Sequence, residues 1–122
     1  MKKRVRELTR RTKGISLEQM TAELNRYLRG WRGYYGFCQT PSVLRDLDSW
    51  IRRRLRSFIW KQLKRGRRRY AELTAQGVNK QLAAKTAGSP HGPWRLSRSP
   101  GLSYAYPNAY FSALGLVSLE HG

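Results

Sequence analysis

The stretch Thr40 to Arg69, TPSVLRDLDSWIRRRLRSFIWKQLKRGRRR, constrains the fold most. Thr40 suits an N-cap, and Pro41 suits the first helical turn, where its missing N–H costs nothing. Apolar residues then recur at Val43/Leu44, Leu47, Trp50/Ile51, Leu55, Phe58/Ile59 and Leu63, the three-then-four spacing of one helix face. The other faces carry Arg45, Arg52, Arg53, Arg54, Arg56, Lys61, Lys64 and Arg65. Only Asp46 and Asp48 offset them, early in the helix where its dipole favours negative charge. A long helix with an apolar seam and a basic back is the organising element.

The rest of the chain supplies partners for that seam. Residues 1–13 read as a short basic helix with Val5 and Leu8 as apolar positions and Gly14 as a break. A helix of about three turns is marginal alone in water, so this one must dock. Ser16 and Gln19 form a capping-box pattern, followed by Leu17, Met20, Leu24, Tyr27/Leu28 and Trp31 at helical spacing. That second helix is expected over 17–31 and to end in WRGYYGF, where Trp31, Tyr34, Tyr35 and Phe37 pin a glycine-rich turn to the core. The short connection to Pro41 predicts antiparallel packing of the 17–31 helix on the 41–65 helix, with residues 1–13 as the third member.

Gly66 interrupts the long helix and Arg67, Arg68 and Arg69 follow it. YAELTAQG then reads as a helix ending at Gly77, and Asn79 as the cap of KQLAAKTA, ending at Gly88. Beyond Ser89 the chain is rich in Pro, Gly, Ser and Tyr, with Trp94, Tyr104, Tyr106, Tyr110 and Phe111 as anchors and one short helix expected after Pro107. The expected fold is mainly α: a small bundle of about three helices, then short helices and an irregular, aromatic-rich C-terminal tail. The expected division is 1–70 for the helical domain and 71–122 for the short helices and docked tail.

Charge narrows the function. The 122 residues hold 25 Lys and Arg against 7 Asp and Glu, a formal charge of +18. Solubility needs a net charge of only about 2–8 in a small domain, so the excess points to a polyanion. No apolar run approaches the roughly 20 residues of a membrane span, and MKKRVRELTRR lacks a signal-peptide core. No membrane association is expected, and the location expected is intracellular. With Cys38 as the only cysteine and His91 and His121 as isolated histidines, no disulfide, metal site or cofactor is expected. Asp46 and Asp48, two apart on a helix, point about 200° apart and cannot share acid–base work; cap and dipole roles are expected of them. No catalytic residue is assigned.

The binding residues expected are Arg45, Arg52, Arg53, Arg56, Lys61, Lys64, Arg65, Arg67, Arg68 and Arg69. Arg45, Arg52 and Arg56 fall on one stripe, and Arg53, Lys61 and Lys64 on a neighbouring line. No acid occurs from residue 49 to residue 71. Arginine suits bidentate phosphate contact. Trp31, Trp50 and Phe58 are expected in the core, with Trp60 at the border of the seam, open to either core or ligand.

KKRVRELTRRTKGISLEQMTAELNRYLRGWRGYYGF, LRDLDSWIRRRLRSFIWKQLKR and GPWRLSRSPGLSYAYPNAYFSALGLVSL together resemble the maturase-specific domain of group II intron-encoded reverse transcriptases, also called the thumb or X domain. The spacing of Leu28-Arg29-Gly30-Trp31, Tyr35, Leu47-Asp48, Trp50 through Leu55 and Trp60 carries the resemblance. The closing segment resembles the C-terminal tail of bacterial members without an endonuclease domain. The resemblance implies a helical thumb that binds group II intron RNA or other structured RNA and assists splicing, within a cytoplasmic bacterial ribonucleoprotein. In a full enzyme it would also grip an RNA/DNA template–primer duplex and pack on the fingers–palm part. No Tyr-Ala-x-Asp-Asp motif occurs, so the chain is expected not to be an enzyme by itself. The alternatives are a structural thumb piece of a split or truncated reverse transcriptase, or a generic nucleic-acid-binding basic protein.

Overall fold

The computed structural model describes residues 1–10, 15–36 and 39–120. The expected break at Gly14, the cations Arg11 and Lys13, and Phe37, Cys38 and His121 lie outside these residues. Among the described residues the chain is all-helical, with longer helices early and short ones later. In order they are α1 (Lys2–Thr9), α2 (Leu17–Tyr35), α3 (Pro41–Gln62), α4 (Gly66–Ala75), α5 (Lys80–Ala87), α6 (Pro93–Leu96), α7 (Pro100–Ala105) and α8 (Asn108–Ala113).

Local chemistry sets most of these boundaries. Ser16 is extended, and its Oγ accepts the Gln19 N–H at 3.1 Å to open α2. Asn79 does the same for α5 through the Leu82 N–H at 2.8 Å. Gly77, at φ 91°, ends α4. The Val78 N–H reaches the Leu73 carbonyl at 3.0 Å and the Gly77 N–H reaches Thr74 at 3.1 Å, a Schellman pair sealed by the buried side chains of Val78 and Leu73.

The α3 seam is buried as the periodicity requires: Leu44, Ile51, Leu55, Phe58 and Ile59 join Val5, Leu8, Met20, Leu24 and Leu28 in one core. Each such aliphatic side chain contributes about 1.5–3 kcal/mol of burial. The arrangement of the first three helices differs from the expectation in one respect. Helix α1 approaches both α2 and α3 more closely than those two approach each other. Val5, with no exposed surface, and Leu8 explain this, because an eight-residue helix survives only as a wedge whose apolar side is fully covered.

Two expectations near the end of α2 are corrected. WRGYYGF is not a turn through its length: α2 continues to Tyr35, with Gly30 and Gly33 inside it. Nor do its tyrosines pin the core, since Tyr34 is 78% and Tyr35 53% exposed. Helical spacing turns Tyr34 away from Leu24 and Leu28, whereas Tyr35, seven residues after Leu28, shares their face and is exposed all the same, near the end of the helix.

The C-terminal third is more helical than expected. Helices α6 and α7 each begin with proline in the first turn, and the Ser99 Oγ caps α7 by accepting the Leu102 N–H at 3.4 Å. Helix α6 packs on α3, and α7 on α4 and α5. Residues 115–120 then cross back to α2 and α3. Asn25 brackets them, donating to the Gly115 carbonyl and accepting from the Val117 N–H, both at 2.8 Å. The Arg32 Nε donates to the Leu119 carbonyl at 2.9 Å.

Asp48 completes this latch and departs from the cap-and-dipole role expected of it. It is buried on the seam, where its carboxylate accepts the Leu119 N–H at 2.8 Å, the Glu120 N–H at 3.1 Å and the Ser118 hydroxyl at 3.0 Å. A buried carboxylate needs such partners, and the tail supplies them.

Candidate nucleic-acid interface

The cations expected to form one surface divide into two sets. The first is exposed and sits where α3 turns into α4. Helix α3 ends with the Leu63 N–H on the Ile59 carbonyl at 3.2 Å, and α4 starts at Gly66 behind the extended Arg65. Lys61, Lys64, Arg65, Arg67 and Arg68 are all exposed around this corner. None of the five makes an ion pair with a described residue. Gln62, Lys64, Arg65, Arg67, Arg68 and Ala71 line a groove of about 440 Å³ there. No side chain caps α4 and no acid lies in its first turn, so the positive end of its dipole adds to the field of the arginines.

The second set is held by the protein. The Arg53 Nε donates to Ser97 Oγ at 2.9 Å and its Nη2 to the Trp94 carbonyl at 3.0 Å, while its guanidinium lies 3.7 Å from the centre of the Trp94 ring. The Arg56 Nε donates to the Tyr106 carbonyl at 2.8 Å, and its guanidinium lies 5.4 Å from the Phe111 ring. The Arg69 Nη2 donates to the Trp60 carbonyl at 2.9 Å beside the Trp60 ring. Arg45 pairs with Glu120 at 3.4 Å, and the half-buried Arg52 donates to Ser49 Oγ at 3.2 Å. Arg54, outside the expected set, ties α3 to α1 through Thr9 Oγ1 at 2.9 Å.

Burial holds Arg53, Arg54, Arg56 and Arg69 below the ordinary arginine range. Neighbouring cations add to the effect: Arg98 at Arg53, Arg10 and Arg6 at Arg54, and Arg52 at Arg56. Arginine stays charged through such shifts.

The aromatic residues follow the same division. Trp60 is fully buried, which places it in the core. Trp50 is half-buried and carries Lys2 at 5.3 Å and Arg6 at 5.5 Å from its ring centre, so the basic helix α1 is seated on it by cation–π contact. Arg98, exposed beside Arg53, is a cation of this region that periodicity along α3 had no means of finding.

Among the described residues no group of three or more His, Cys, Asp or Glu is placed to hold a metal ion, and no helix is long and apolar enough to cross a membrane. What remains is a helical, strongly cationic domain in which five exposed cations without an acidic partner lie together at the α3–α4 corner. The chain belongs to the family described as group II intron, maturase-specific domain, which matches residues 1–77. The match runs from α1 to the glycine that closes α4 and contains the whole α3–α4 corner. No curated protein sequence matches the chain.

Proposed function

We propose that the chain binds folded group II intron RNA through the α3–α4 corner and so stabilises the splicing-competent form of the intron. The observation that carries this reading is the cluster Lys61, Lys64, Arg65, Arg67 and Arg68: five exposed cations without an acidic partner, inside the segment matched by the maturase-specific family. Each phosphate neutralised releases condensed counterions, which favours binding at low salt. Folded RNA brings phosphate strands close together, and a groove edged by arginines relieves their repulsion while reading shape rather than sequence. Arginine adds geometric selection through paired N–H donors.

Five phosphate contacts correspond to a slope of log affinity against log salt of about −4.5 on duplex regions. A variant with Lys64, Arg65, Arg67 and Arg68 all replaced by Ala should lose most of that slope and the ability to promote splicing of the intron, with its helical circular dichroism unchanged. Wild-type affinity in that variant overturns the assignment. The same chemistry accepts a template–primer duplex or plain duplex DNA, and equal competition by either against intron RNA would favour the thumb or the generic reading instead.

A further inference from the structure

Between α3 and the segment 94–103 lies a hollow of about 360 Å³. Helix α3 contributes Ser49, Trp50, Arg53 and Arg56 to its wall, and the C-terminal segment contributes Ser97, Arg98 and Ser103. Three guanidinium-bearing residues and three hydroxyls line it, and no carboxylate does. Elsewhere on α3 the cation Arg45 has its acid in Glu120, so this absence is a local property of the hollow.

The arginines are fixed before any ligand arrives. Arg53 is held through Nε by Ser97 Oγ and through Nη2 by the Trp94 carbonyl, and is stacked on the Trp94 ring. The Ser97 hydroxyl itself donates to the Trp94 carbonyl, closing a ring of bonds around the guanidinium. Arg56 is held through Nε by the Tyr106 carbonyl and through Nη2 by Asn108 Oδ1 at 3.4 Å. In neither residue does Nη1 make a hydrogen bond to a described residue. Two immobilised guanidiniums therefore keep spare donors, and the side-chain entropy that binding would otherwise cost has already been lost in folding. The mutual repulsion of Arg53 and Arg98, and of Arg56 and Arg52, has no acid in the hollow to relieve it. A bound anion relieves it.

The geometry points to this hollow as a second phosphate-binding site, taking a phosphodiester of the RNA, and built jointly by α3 and the C-terminal segment. Its uncommitted donors are the Nη1–H groups of Arg53 and Arg56, the Arg98 guanidinium and the hydroxyls of Ser49 and Ser103, a set that suits tetrahedral phosphate oxygens. Three of the seven lining residues lie beyond the 1–77 family match, so the docked C-terminal segment adds a contact that the matched domain does not supply alone. The assignment rests on the reading that the ligand is RNA, and extends it from one corner to two separate grips.

Two measurements on the full chain test it. In the first, inorganic phosphate is titrated at constant ionic strength while the Nε–H resonances of Arg53 and Arg56 are followed by NMR. Both should shift saturably. R98A, which removes an exposed side chain that makes no hydrogen bond to a described residue, should weaken the midpoint about three- to fivefold, the scale of one exposed charge pair. In the second, the salt dependence of intron-RNA binding should lose about 0.7–0.9 from its slope in R98A, one phosphate contact. Absence of saturable shifts at Arg53 and Arg56 overturns the site. Shifts with an unchanged RNA slope overturn its assignment to the RNA backbone. If the wild-type chain fails to bind intron RNA at all, the proposed function falls, while the phosphate titration still decides the hollow.

Discussion

The Oδ1 of Asp48 in the middle of α3 accepts the backbone N–H of Leu119 at 2.8 Å, joining residues 71 positions apart in the chain. Leu119 is fully buried beside it, so the stretch 118–120 is both hydrogen-bonded and packed. Asp48→Ala leaves the Leu119 and Glu120 N–H groups without their acceptor. Its expected cost is about 3 kcal/mol, read as a lower urea midpoint, with faster amide exchange at Leu119 and Glu120. Exchange at Leu119 as slow as in the wild type would show that apolar packing alone holds the tail.

Arginines on the same helix should behave oppositely when truncated. Arg56→Ala removes the bond to the Tyr106 carbonyl and the contact with Phe111, and should destabilise the fold by about 2 kcal/mol. Arg68→Ala, at the exposed corner, should leave the denaturation midpoint where it was while weakening RNA binding. A common stability loss in both variants would mean that the division into held and free cations is wrong.

Gly101 is buried against α5, and a Cβ placed there would come within 2.5 Å of Thr86 Oγ1 and 3.2 Å of its Cγ2. Gly101→Ala should cost about 1–3 kcal/mol by overpacking. Adding Thr86→Ala removes both of those atoms, and should recover part of the loss; thermal melts of the single and double variants provide the comparison.

Alkaline stability should fall through the tyrosines. Burial chiefly, then the charges of Glu72 and Tyr110 and a hydrogen bond to Glu72, push the Tyr106 phenol well above its ordinary value of 10.0. Burial and the nearby charges of Glu72 and Glu18 raise Tyr110 as well. Above pH of about 10 the unfolded chain has released these protons while the native chain still holds them, so the native state binds more protons and stability decreases as pH rises. Below that pH the contribution is fully present. Melting temperatures across pH 8.5–11 should therefore decline less steeply in Tyr106→Phe than in the wild type. Equal slopes would assign the decline to other groups.

Much of the early fold was legible because its determinants are local. The Ser16 and Asn79 caps, Pro41 at the start of α3, Gly77 at the end of α4 and the α3 seam each depend on residues within one or two turns. Helices α6 and α7 had a readable signal in Pro93 and Pro100, which their Ser- and Gly-rich surroundings concealed. Asp48 had one as well: four residues after Leu44 and three before Ile51 it falls on the seam, and a carboxylate there calls for distant donors.

The amino-acid sequence by itself determined the helical class, the seam of α3, the absence of acids between residues 49 and 71, and the family to which residues 1–77 belong. Only the tertiary structure decided which cations are free. An arginine side chain looks the same in sequence whether it meets water or a carbonyl. Arg53 meets Ser97 across 44 residues and Arg56 meets Tyr106 across 50, so their state depends on where the C-terminal segment lands. Lys64, Arg65, Arg67 and Arg68 stay exposed because the chain turns there and no later segment brings them an acidic partner.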